Sequence, residues 1–159
     1  MPTLVDGVPR AALKAEVRDL LSASVGSEGR LTIGAEVELI PLSVEDHGRL
    51  TLRGAGGAPG VVDLVTLAGE GQGWLEEQTL RGVPRFRIPG VGFVTFEPGG
   101  QLEISTRPYQ RVDDLLLVVE AALGRIFEAG DRLGVRLVTR AMDPVNSADG
   151  ASLLVASDR

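Results

Sequence analysis

The stretch that decides the fold is Phe93-Val94-Thr95-Phe96-Glu97-Pro98-Gly99-Gly100-Gln101-Leu102-Glu103-Ile104-Ser105. Residues 93–96 alternate in polarity before a break, and after it Gln101, Glu103 and Ser105 fall on one side with Leu102 and Ile104 on the other. A period of two is that of a β-strand with unlike faces. Proline presets one backbone angle and glycine permits positive φ, so Pro98-Gly99-Gly100 reads as a turn between two strands.

Working outward, Arg85-Phe86-Arg87-Ile88 alternates in the same way, and Pro89-Gly90-Val91-Gly92 supplies turn residues for a hairpin onto 93–96. Residues 73–80 read as a short strand or a helix end, with Trp74 a core or rim aromatic. The span 43–60 is polar and ends in Gly54-Ala55-Gly56-Gly57-Ala58-Pro59-Gly60, a loop or irregular hairpin around 49–53. A phosphate-cradling role for it needs a helix N-terminus behind it. The candidate segment, 61–68, is short, so a plain connector is the preferred reading.

Farther upstream, 31–42 alternates with Ile33, Ala35, Val37 and Leu39 on one side and Gly34, Glu36, Glu38 and Ile40 on the other, a strand with one apolar and one acidic face. Before it, Leu13, Val17, Leu20 and Leu21 recur at i, i+4, i+7 and i+8, which predicts an amphipathic helix over 9–24. Downstream, Asp113 and Asp114 open a helix with the apolar stripe Leu116, Val119, Leu123, Ile126 and Phe127, stopped at Gly130. Residues 135–139 read as a further strand, followed by Met142-Asp143-Pro144. No solenoid repeat is visible. Helices flanking several antiparallel strands predict an α+β fold, and 159 residues predict one domain over the whole chain.

Composition narrows the function. At 43 % hydrophobic and 24 % charged residues, the chain lies in the globular range. No apolar run approaches the roughly 20 residues that span a bilayer, and no signal pattern opens the chain, so a cytoplasmic protein is expected. A net charge of −6 argues against nucleic acid or anionic membrane as partner. The absence of cysteine excludes disulfides, thiolate zinc and a cysteine nucleophile. His47 is the only histidine and lies in a polar, turn-like stretch; Lys14 is the only lysine, and no P-loop string exists.

What remains is a pattern of acids: Glu36 and Glu38 on one strand, Glu97 and Glu103 around the Pro-Gly-Gly break. Residues i and i+2 of a strand stand about 6.5–7 Å apart on one face. Two carboxylates held there repel by roughly 2–3 kcal/mol at an effective dielectric near 20. If the strands are neighbours, four carboxylates share one surface, and a divalent cation relieves their repulsion. Oxygen-only ligands select Mg²⁺ or Mn²⁺ over zinc, and magnesium commonly takes substrate phosphates as further ligands. The competing reading is the solvated face of an ordinary antiparallel sheet.

The run 93–105 resembles the EPGGQxExS signature of the glutamate-cysteine ligase family of the plant and actinobacterial type. Ile33-Gly34-Ala35-Glu36-Val37-Glu38 is similar to the IGxExE strand that precedes it in that family, and 142–144 to its later G-x-D-P region. The resemblance implies a glutamine-synthetase-like antiparallel sheet forming a cupped site. It implies an ATP-dependent reaction in which the γ-carboxylate of glutamate is phosphorylated and an amine such as that of cysteine attacks the acyl phosphate. It further implies that Glu36, Glu38, Glu97 and Glu103 hold Mg²⁺ or Mn²⁺ against ATP, that Gln101 orients substrate, and that Arg107 lies near the glutamate pocket.

Thr106-Arg107-Pro108-Tyr109 departs from the Gly-Ala-Pro or Gly-Pro-Pro that follows the signature in the family, so the acceptor amine or acid is open. Family enzymes are more than twice as long, so the chain reads as an N-terminal portion. Such a portion is expected to bind a complementary C-terminal half or itself, and to turn over little alone. Two alternatives stand beside the ligase: a metal- or partner-binding remnant of the fold without its chemistry, and an unrelated acidic β domain.

Overall fold

The computed structural model describes residues 4–5, 8–9, 15, 31–79, 82–140 and 146. The chain divides into two compact units, Met1–Thr32 and Ile33–Arg159. In the first, the two-residue strands β1 (Leu4–Val5) and β2 (Val8–Pro9) pair antiparallel. The helix expected over 9–24 lies outside the described residues except for Pro9, which is in β2, and Ala15, which is helical. Met142-Asp143-Pro144 also lies outside them.

The second unit runs β3 (Glu36–Ser43), α1 (Val61–Gly69), β4 (Leu75–Gln78), β5 (Pro84–Ile88), β6 (Gly92–Glu97), β7 (Gln101–Thr106), α2 (Val112–Leu133) and β8 (Val135–Val138). Its strands form one six-stranded sheet in the order β4-β5-β6-β7-β3-β8, with every pairing antiparallel. With two helices packed on it, the unit is α+β, as the alternation and helical stripe predict.

Alternation divides the sheet into two faces. Leu39, Val94, Leu102 and Ile104 are all 0 % exposed and join Phe86, Ile88 and Phe96 in one core with α1 and α2. From α1 the core takes Val61, Leu64 and Val65, and from α2 it takes Ala122, Ile126 and Ala129. Burying a side chain of this size contributes about 1.5–3 kcal/mol, so this face carries the stability of the unit.

Two glycines of the turns are structurally required. Gly92 has φ +156, and a Cβ there would run into the Ser105 carbonyl oxygen across the hairpin. Gly100, at φ +79 in the Pro98-Gly99-Gly100 turn, donates its N–H to the Glu97 carbonyl at 3.1 Å. A Cβ on it would stand 2.7 Å from the Leu50 carbonyl oxygen.

Three expectations need correction. Strand β3 begins at Glu36 rather than at 31; before it, Ile33 makes only an isolated bridge to Tyr109. The buried stripe of α2 is Leu115, Val119, Ala122, Ile126 and Ala129, while Leu116 is 51 % and Phe127 40 % exposed. Residues 115–119 are all apolar, so local pattern leaves the helix roll open; packing turns the small Ala122 and Ala129 inward, where they permit close approach. The helix stops at Gly134, in the left-handed conformation, rather than at Gly130. Gly130 instead lies inside α2, where a Cβ would be 2.8 Å from the Val135 carbonyl oxygen.

Residues 61–68 do form a helix, α1, but its N-terminus is already occupied: the Gly60 N–H donates to Asp63 Oδ2 at 2.7 Å. The glycine-rich loop before it is therefore a connector that delivers a self-capped helix. Among the described residues, no helix is long and apolar enough to cross a membrane.

Candidate functional site

The other face of the sheet carries no helix among the described residues; around β6, β7 and the first half of β3 it is mostly polar, with Phe93 among the polar side chains, while Ile40 and Leu42 farther along β3 are buried on that side. Register places them in rows. Glu38 of β3 stands directly opposite Glu103 of β7, and Glu36 opposite Ser105. Across β7, Glu103 faces Thr95 of β6 and Gln101 faces Glu97. All four acids singled out from the sequence are thus on one face, on three adjacent strands.

Facing residues of an antiparallel pair hold their Cβ atoms about 4.5–5.5 Å apart, where like charges oppose folding. Glu38 opposite Glu103 is such a pair. Glu103 is further organised by hydroxyls: Ser105 Oγ donates to its Oε1 at 2.7 Å and Thr95 Oγ1 at 3.3 Å. Both bonds go to one oxygen, Oε1. Each acid neighbours a residue packed on the core, Val37 and Leu39 in β3, Phe96 in β6 and Leu102 and Ile104 in β7, so the core holds the backbone under the carboxylates.

The four do not close on a single point. Among the described residues, no three acidic or imidazole side chains stand close enough to hold one ion between them. The donor set is nevertheless all oxygen, with Gln101 and the Ser105 and Thr95 hydroxyls beside it, and suits a hard cation that keeps part of its water shell.

Gln101, half-buried at the start of β7, shares the acidic end of the face with Glu97. Arg107 lies at the opposite end, past β7. Its Nε donates to the Gly90 carbonyl at 2.7 Å, and its guanidinium lies 4.7 Å over the Tyr109 ring. Tyr109 donates its hydroxyl to the same carbonyl at 2.6 Å. Arg107 thus braces the β5–β6 turn at the rim, away from Gln101. His47, at φ 59 in an exposed turn, takes no part.

Beyond the sequence candidates, the same face carries Glu77 of β4 and Arg85 and Arg87 of β5. Arg85 donates to Glu77 Oε2 through Nε at 2.9 Å and Nη2 at 2.8 Å, and Arg87 Nε donates to Oε1 at 3.0 Å. Hydrogen bonds from Arg87 first and Arg85 second hold the Glu77 carboxyl below its ordinary value. The alternation of 85–88 already puts both arginines on one side; that this side is the acidic one depends on pairing through β6 and β7.

The sheet thus presents opposed, hydroxyl-braced glutamates on its open face, an oxygen-rich, charged surface. Comparison with protein families matches residues 32–156 to glutamate-cysteine ligase family 2 (GCS2), and the chain belongs to that family. A search of curated proteins returns no match.

Proposed function

We propose that this chain carries the metal-binding sheet of an ATP- and magnesium-dependent ligase of the glutamate-cysteine ligase type. In this reading the γ-carboxylate of glutamate attacks the terminal phosphorus of ATP and ADP leaves. An amine, such as that of cysteine, then adds to the acyl carbon, expels phosphate and loses a proton, which leaves an amide. Bound Mg²⁺ or Mn²⁺ supplies charge neutralisation for the phosphates. Glu36, Glu38, Glu97 and Glu103 would line the surface on which such ions sit, Gln101 would orient the substrate beside them, and Arg107 would act from the far rim.

The observation that carries the reading is Glu38 directly opposite Glu103. A sheet selected for stability alone does not place like charges face to face on a rigid pair of strands, whereas a cation-binding sheet does. The test is thermal unfolding with and without Mg²⁺. A ligand that binds only the folded chain stabilises it by about 2.7 kcal/mol at a hundred times its Kd. Wild type should melt higher with Mg²⁺, and Glu38→Gln or Glu103→Gln should lose the increment. A γ-glutamyl-hydroxamate assay with ATP then reads the chemistry.

The wide set of the acids favours a second reading, a metal-binding or partner-binding member of the family that has lost turnover. It predicts the Mg²⁺ increment without hydroxamate.

A further inference from the structure

The cluster of Glu77, Arg85 and Arg87 has no part in the reaction as proposed, yet it shares the face with the acids. One carboxylate meets two guanidiniums, which leaves a surplus positive charge in a chain whose net charge is −6. The arginines are 43 % and 44 % exposed, and Glu77 is 30 % exposed. Arg85 lies 4.4 Å over the Phe93 ring, a cation–π contact that fixes the plane of its fork. Arginine offers paired N–H groups in the geometry of a carboxylate or phosphate, which lysine does not. Both guanidiniums hold the Glu77 carboxylate at once, Arg85 at Oε2 and Arg87 at Oε1.

The position is as informative as the chemistry. Phe86 pairs with Val94 and Arg87 with Phe93, so one step along the same register brings Arg85 opposite Thr95, which faces Glu103, which faces Glu38. Arg85 and Glu103 therefore lie in one cross-strand row, their backbones about 10 Å apart at two strand spacings. That span suits a small molecule with an anionic group at one end and a cation-bound group at the other.

We propose that Arg85 and Arg87 form an oxyanion subsite that takes a carboxylate or phosphate of the substrate, and that Glu77 occupies it until the ligand displaces it. The subsite rests on the ligase reading for the identity of the other end, at Glu38 and Glu103. If the cluster were only a clamp on edge strand β4, each of its three side chains would affect stability and none would affect binding.

The experiment is calorimetric titration of the whole chain in low salt with EDTA, using L-glutamate in one arm and inorganic tripolyphosphate in the other. The arm that binds identifies the source of the oxyanion. In that arm Arg87→Gln weakens binding about tenfold, as loss of a charge-assisted hydrogen bond does, and Arg85→Lys, which keeps charge and loses the fork, also weakens it. Glu77→Gln tightens it severalfold while lowering the melting temperature, an opposition that a clamp does not produce. Circular dichroism establishes that each variant is folded. Unchanged affinity in folded Arg87→Gln, weaker binding in Glu77→Gln, or no binding of either probe by the wild type overturns the subsite. If the wild type binds neither probe yet gains Mg²⁺ stability through Glu38 and Glu103, the subsite fails and the ligase reading stands.

Discussion

The two faces of one sheet are built from alternate residues of the same strands and obey different rules. Leu102 and Ile104 of β7 are fully buried, while Glu103 between them stands opposite Glu38 on the open side. On the buried face every neighbour is a partner, and removing one costs stability. On the open face Glu103 is bonded by two hydroxyls but also stands across from a like charge, Glu38, which opposes folding. One strand thus commits its even-numbered residues to the core and its odd-numbered ones to an acidic, polar surface.

That contrast can be broken experimentally, and Ile104 is the place to begin. Ile104→Ala should destabilise the chain by about 2–5 kcal/mol in urea unfolding, through lost burial and the cavity left behind. A change of half a kcal/mol or less would mean that the core does not rest on this face. Next in size is Gly92→Ala. A non-glycine residue held at its φ costs of order 1–3 kcal/mol before the overlap with the Ser105 carbonyl is added, and its midpoint should move nearly as far as that of Ile104→Ala.

The open face should respond with the opposite sign. In metal-free buffer, Glu38→Gln relieves the facing charges and should raise stability by about 0.2–1 kcal/mol. With Mg²⁺ present the ranking reverses, and wild type becomes the more stable of the two. A Glu38→Gln variant that is less stable than wild type in EDTA would sink the claim that this pair opposes folding.

The smallest expected effect is on pH dependence. Glu77 is held below its ordinary value by Arg87 and Arg85, and Asp46 is lowered by the N–H of Gly48, at 2.9 Å, and by Ser43. A carboxyl with a depressed folded pKa binds fewer protons folded than unfolded, so its contribution is present above the unfolded value and is lost as pH falls through the folded one. Acid titration of stability should therefore steepen just below the ordinary carboxylate range, and Glu77→Gln should flatten part of that slope. An unchanged profile in Glu77→Gln would remove the arginine grip as its cause.

Much of the fold was legible because its signals are short-range. The alternation of 85–88, 93–96 and 101–105 with the glycine turns between them identifies β5, β6 and β7. The acids were legible for the same reason, since Glu36 with Glu38, and Glu103 with Ser105, are fixed to one face by a period of two. The roll of α2 was not legible, because its apolar residues surround the first turns and only packing selects Leu115 over Leu116. Nor was the role of Arg85 and Arg87, whose companions on the face come from strands that do not adjoin them in sequence.

By itself the sequence determined the hairpins, the turn at Pro98-Gly99-Gly100 and which residues of each strand go together, since those follow from backbone angles and side-chain alternation within a few residues. Only the tertiary structure decided that β3 lies beside β7 in the register that sets Glu38 against Glu103. That register joins distant segments, and it is chosen by how Val37 and Leu39 pack against Leu102 and Ile104, a choice that no local pattern contains.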